Sequence, residues 1–193
     1  MKKWQIVVIV LVVLGVIIGG SFASARNNMV RKKEQINQTW SEVNVVIERR
    51  ADLIPNLVAT VRGYAAHEQT VFDSVTRARE ALLAAHTRAG RMQANGQLDG
   101  ALGRLLAVVE NYPQLKANEN FLELQDELEG TENRIAVERR RYNLALQDYN
   151  TYIGLIPNNL FAHWAGFTRD NDYFKASPAA QQVPKVVFPT AQN

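Results

Sequence analysis

From Ile36 onward the larger side chains return at steps of three and four: Ile36, Trp40, Val43, Ile47, Arg50, Ile54, Leu57, Val61 and Tyr64. This spacing follows the turn of an α-helix and draws one apolar stripe down a single face, interrupted by one arginine. A second pattern of the same kind covers residues 69–89 through Val71, Phe72, Val75, Ala78, Leu82 and Ala85. Gly90, Asn95 and Gly96 then read as a turn. Residues 97–111 carry a shorter third stripe of Leu98, Leu102, Leu105, Leu106 and Val109, stopped ahead of Pro113. The fourth runs from Ala117 to Leu155, with Phe121, Leu124, Leu128, Thr131, Ile135, Glu138, Tyr142, Ala145, Tyr149 and Tyr152 on its face, and Pro157 ends it. No segment alternates as a strand would. Four amphipathic helices on short turns predict an all-α fold, an antiparallel up-and-down four-helix bundle whose long first and fourth helices lie side by side.

The first 26 residues follow a different rule. After Lys2 and Lys3 no charge appears until Arg26, and Ile6 to Ile18 is almost wholly Ile, Val and Leu. As a helix the uncharged run measures about 33 Å, enough for a hydrocarbon core of about 30 Å. Trp4 would stand at one interface. A cleaved export signal is the competing reading, since Ala23-Ser24-Ala25 fits a small-residue cleavage site. The unbroken length, and the helical pattern that follows directly, favour a transmembrane anchor. Arg26, Arg31, Lys32 and Lys33 slightly outweigh Lys2 and Lys3, a weak lean toward a cytoplasmic domain. The expected organisation is an anchor over 1–26, a bundle with an aromatic C-terminal segment over 27–176, and a loose, proline-containing tail over 177–193.

The tetrapeptide Leu-Ile-Pro-Asn occurs twice, at 53–56 inside the first stripe and at 155–158 beyond the fourth. At the first copy Asp52 can cap a local helix start, which makes Asp52 and Pro55 a kink or short break; a full chain reversal at Asp52 is the alternative. The second copy reads as a helix exit. Setting Ile36 and Tyr152 at the same end of an antiparallel pair places Arg50 opposite Glu138. The expectation is a buried Arg50–Glu138 ion pair that fixes register, with two solvated charges as the alternative.

Composition narrows the chemistry. Among 193 residues the 22 basic and 19 acidic side chains are interspersed, for a net charge of +3, so no continuous basic face is offered to nucleic acid. Cysteine is absent, which removes thiolate catalysis and cysteine-ligated metals. His67, His86 and His163 are far apart, and no phosphate loop, nucleophile elbow or zinc-protease motif occurs. Glu119, Glu123 and Glu127 share a helix face, but a di-metal bundle needs Glu-x-x-His contributions from other helices. A non-enzyme without cofactor is therefore expected; a metal-dependent hydrolytic enzyme using those carboxylates is the alternative. Residues 155–174 gather Leu160, Phe161, Trp164, Phe167, Tyr173 and Phe174 at the expected membrane-proximal end. Phe161, Trp164, Phe167, Tyr173 and Phe174 form a candidate interface that can pack under the bundle, rest on lipid or receive a partner.

Several runs in order resemble the LemA family of bacterial membrane proteins. They are R-R-A-D-L-I-P-N-L-V at 49–58, G-Y-A-A-H-E at 63–68, Y-P-Q-L-K-A-N-E-N-F at 112–121, T-E-N-R-I-A at 131–136, R-Y-N at 141–143, Y-N at 149–150 and G-F at 166–167. Many members carry a lipoprotein-like cysteine near the start, which this chain lacks. The resemblance implies a helical bundle tethered, single-pass, to the bacterial cytoplasmic membrane, with no established enzymatic activity or cofactor. It implies a bundle on the extracytoplasmic side, against the weak charge count. It also points to envelope quality-control systems with a membrane metalloprotease as partners, and, through magnetosome-associated relatives, to membrane organisation. A membrane-tethered scaffold or adaptor of the cell envelope is the expected function, with a lipid-binding, membrane-organising bundle beside it. The lipid bilayer and other envelope membrane proteins are the expected partners, and self-association stays open.

Overall fold

The structure, a computed structural model, describes residues 3–175, and the expected tail over 177–193 lies outside the described residues. The described residues are helical with no strand: α1 Lys3–Arg62, α2 Gln69–Ala84, α3 Arg88–Val109, α4 Pro113–Lys116, α5 Glu119–Gly154 and α6 Asn158–Ala165. The 60 residues of α1 form one rod of about 90 Å. Its first part is apolar on every side, with an 18-residue window of mean hydropathy 3.0 that is not buried at all, long and apolar enough to cross a membrane. From Met29 onward the rod turns amphipathic and buries Ile36, Val43, Ile47, Ile54, Leu57 and Val61.

The largest interface joins α1 to α5. They run antiparallel: Trp40 meets Tyr142 with ring centroids 5.4 Å apart, and Asn118 at the start of α5 donates to the Tyr64 hydroxyl just beyond the end of α1 (3.1 Å). α2 and α3 form a hairpin whose α2 leans on α1. Its Phe72, Val75, Leu82, Leu98 and Leu105 complete a core shared with Phe121, Ile135 and Leu146 of α5.

Two expected interruptions, a break or reversal at Asp52 and a turn from Gly90 to Gly96, are not found among the described residues. α1 is continuous through Pro55, with Asp52 and Pro55 both on its exposed side, so neither a break nor a reversal occurs at Asp52. Gly90, Asn95 and Gly96 are helical; the hairpin turn lies earlier, at residues 85–87. Thr87, in extended backbone, caps α3 by accepting from the Gly90 amide (3.0 Å). A Cβ at position 90 would sit 2.8 Å from that hydroxyl oxygen, which is why glycine stands there rather than because the chain turns. Asn95 stays in the helix because it is buried and bonded to Asp99 one turn on.

Candidate functional site

One of the two longest recognisable runs, residues 49–58, is held by two arginines that act on different atoms. Arg50 is buried, its side chain 9% exposed, and its Nη1 donates to Asp99 Oδ1 of α3 and to Glu132 Oε2 of α5, both at 2.5 Å. Asp99 Oδ2 accepts from Asn95 Nδ2 (3.1 Å) and faces Arg139 Nη2 at 3.7 Å. Two guanidiniums and two carboxylates thus tie α1, α3 and α5 in an electroneutral cluster. Arg50 is buried as expected, but Glu138 is not its partner: Glu138 binds Arg141 on its own helix at 2.9 Å. The register between α1 and α5 differs by six residues from the one inferred from helix ends, because those ends do not coincide.

Pro55 explains the second arginine. A proline within a helix has no amide for the carbonyl four residues back, so the Ala51 oxygen is left without its helical donor. Arg79 Nε of α2 supplies it at 2.8 Å. The proline thus exposes an acceptor on α1, and the arginine docks the hairpin onto it.

The far corner of the molecule accounts for two more runs. Pro113 starts α4 at the position where a missing amide costs nothing. Asn118 caps α5 by accepting from the Phe121 amide (3.0 Å) while its amide nitrogen reaches Tyr64.

At the opposite end, Tyr142-Asn143 and Tyr149-Asn150 repeat two turns apart on α5. Their tyrosines are buried, and their asparagines grip the segment that follows α6. Asn143 donates to the Phe174 carbonyl (2.9 Å) and accepts from the Phe174 amide (3.0 Å). Asn150 does the same at Asp170 (2.6 and 3.0 Å) and also donates to the Tyr173 hydroxyl (2.9 Å). A side-chain amide has both a donor and an acceptor, so each asparagine matches the N–H and C=O of one backbone residue. Arg88 fastens the strap further, donating to Asp170 (3.0 Å) and to Asn37 of α1 (2.5 Å). Tyr149 donates to the Thr168 carbonyl (2.8 Å). Burial pushes the Tyr142 phenol up to about 12, against the pull of the Arg88 guanidinium and with Asp170 and Asp172 adding to the rise. Burial, then Asp170, also raises Tyr149.

The five aromatics of the candidate interface divide. Phe161 is buried against Phe22 of α1, edge-on at 5.5 Å. Phe167 and Tyr173 are half-buried against the core, and Phe174 is stacked on Trp40 at 5.9 Å. Trp164 alone points outward. Glu119, Glu123 and Glu127 are exposed on α5, and among the described residues no three His, Cys, Asp or Glu side chains are placed to hold a metal ion. Arg79, Asp99 and Arg139 escaped the sequence reading, and Glu132, Asn143 and Asn150 entered it only as letters of the resemblance runs, without a role. The seven-residue repeat of Tyr-Asn was the one signal that could have found any of them.

The sequence model described as the LemA family matches residues 39–188. The chain is 32% identical to magnetosome protein MamQ 2 of Paramagnetospirillum magneticum, over 79% of this chain and 65% of that protein. It is 28% identical to magnetosome protein MamQ of Magnetospirillum gryphiswaldense over the same shares. It is 23% identical to Protein LemA of Metamycoplasma hominis, over 73% of this chain and 65% of the relative. The chain thus spans slightly less than two thirds of the length of each.

Proposed function

Because the chain belongs to the LemA family, we propose that it is a membrane-tethered helical scaffold of the bacterial envelope, single-pass in the cytoplasmic membrane with its helical bundle outside the cytoplasm. The observation that carries this reading is the unbroken course of α1, whose exposed apolar part continues without a joint into the central core helix. A span attached through a flexible linker would leave the domain free to tumble; a shared rod holds it at a fixed height and tilt over the lipid. Such a post suits presenting a rigid surface to other envelope membrane proteins. The name magnetosome protein carried by two relatives supports work at a bacterial membrane.

The test has two arms. Removing residues 1–26 should move the chain from the membrane to the soluble fraction. Photo-crosslinking residues at exposed positions of α2 and α3, such as Arg77 and Gln97, should give discrete adducts with other membrane proteins in living cells. A truncated chain that still resists alkaline extraction from membranes as a spanning protein does, or crosslinking that yields no adduct from any exposed face, would remove the scaffold reading. Protease added to spheroplasts should digest the bundle; complete protection would place it on the cytoplasmic side.

A further inference from the structure

We propose that α6, with the corner Leu155–Ile156 before it, is a foot that lies in the bilayer interface beside α1. The inference rests on the reading that α1 crosses a membrane, and goes beyond it by giving the lipid a second contact.

The two faces of α6 have separate tasks. Phe161 and Ala162 point inward, Phe161 against Phe22. Leu160 and Trp164, one turn apart and 55% and 72% exposed, point outward, and Ile156 is 83% exposed. Gly166, at φ 76°, ends the helix in a left-handed cap, with the Phe167 amide bonded to the Ala162 carbonyl (2.9 Å). Leu160 and Trp164 are therefore presented by a helix whose end is fixed by that cap.

Their surroundings identify the occupant. No Asp, Glu, Lys or Arg occurs between Asp148 and Arg169; His163 is the sole basic side chain there, with Tyr149 and Tyr152 the other titratable groups. The segment lies beside the charge-free part of α1: Pro157 and Asn158 share a shallow crevice with Val16, Ile17, Gly20 and Ser21. Charge resumes at Arg26 on α1 and, about 9 Å further from the apolar end, at Asp148 of α5, which pairs with Lys32. With Trp4 at one interface, about 20 residues of α1 cross the hydrocarbon, which puts Ser24 at the other boundary. Phe22 then lies about 3 Å and Ile17 about 10 Å inside it. Amphipathic helices resting on membranes sink about 5–10 Å, the same depth. A lipid surface accounts for a charge-free corner held beside the charge-free part of α1, an arrangement that a protein partner would not require.

Since the chain has no cysteine, single labels can be placed in the full-length protein. Ile156→Cys, Ile17→Cys and Gln114→Cys, each at an exposed position, are labelled with an environment-sensitive fluorophore. They are reconstituted in vesicles of phosphatidylethanolamine and phosphatidylglycerol with spin-labelled lipid. The expected result is quenching at position 156 comparable with that at 17, and none at 114. Quenching at 17 with position 156 behaving like 114 would overturn the foot and leave the anchor standing. No quenching at either would overturn both. Shielding of position 156 in native membranes but not in protein-free vesicles would assign the surface to a protein and overturn the proposal.

Discussion

The same four residues, Leu-Ile-Pro-Asn, meet opposite fates at the two ends of this molecule. At 53–56 the helix runs on through the proline, and Ile54 is 1% exposed. At 155–158 the helix has already ended, and Ile156 is among the most exposed side chains of the chain. The difference is not in the tetrapeptide but in what approaches it. At the first copy Arg79 arrives from α2 to satisfy the carbonyl that Pro55 orphans, and the apolar stripe continues on both sides to be buried. At the second no donor from a neighbouring helix reaches the Ile153 carbonyl among the described residues; Leu155 adopts extended backbone, and Asn158 folds back to donate to the Tyr152 carbonyl at 3.2 Å. A proline ends a helix when the carbonyl it strands stays alone, and is carried within one when tertiary structure provides the missing donor.

The sharpest way to break this contrast is to truncate the same side chain in both copies. Ile54→Ala should destabilise the full-length protein in detergent by about 3 to 4 kcal/mol, from lost burial and a residual cavity. Ile156→Ala should fall within about 0.5 kcal/mol, since the side chain touches little protein. Thermal unfolding followed by circular dichroism reads both; equal effects would mean that the second copy packs as the first does.

Next in size is the arginine that precedes the first copy. Arg50→Ala leaves Asp99 and Glu132 without their shared cation and should cost about 3 kcal/mol, the low end for breaking a buried pair because both carboxylates are partly solvated. Glu138→Ala should cost much less, because its partner lies on its own helix and is exposed. The reverse order would restore the register expected from helix ends.

Much of the fold was legible from spacing. Ile36, Val43, Ile47, Arg50, Ile54, Leu57 and Val61 of α1, and Phe121, Leu128, Thr131, Ile135, Tyr142, Ala145 and Tyr149 of α5, are all buried as their period required. Register was not legible, since a helical stripe repeats every turn and sliding one against another by a turn or two keeps both in contact. The alignment shows instead in single contacts between the two helices, Trp40 on Tyr142 and Arg50 on Glu132. Arg50's partners were hidden for a related reason. Asp99 and Glu132 lie beside the stripes, next to Leu98 and Thr131, and a long side chain reaches them there. The start of α3 was misplaced because glycine and asparagine signal turns on average, whereas Thr87 supplied a cap and Asn95 a buried bond. The asparagine grip on residues 170–174 depends on an irregular segment that folds back along α5, which no periodicity announces.

The smallest effect tests the cause directly. If Arg79 matters because Pro55 strands the Ala51 carbonyl, the two residues must be coupled. Arg79→Ala in the native background should cost about 1.5 kcal/mol, the lower range for a charged hydrogen bond, because Arg79 is only half-buried. With Pro55→Ala already in place, residue 55 has an amide that can donate to Ala51 in the ordinary helical manner, and the same Arg79→Ala should then cost under about 0.5 kcal/mol. The difference, a coupling of about 1 kcal/mol in a double-mutant cycle, is within reach of denaturant titration. Additive effects would show that Arg79 holds α2 to α1 by its aliphatic stem alone, and the first tetrapeptide would then owe its helical course to burial of Ile54 and Leu57 rather than to a borrowed donor.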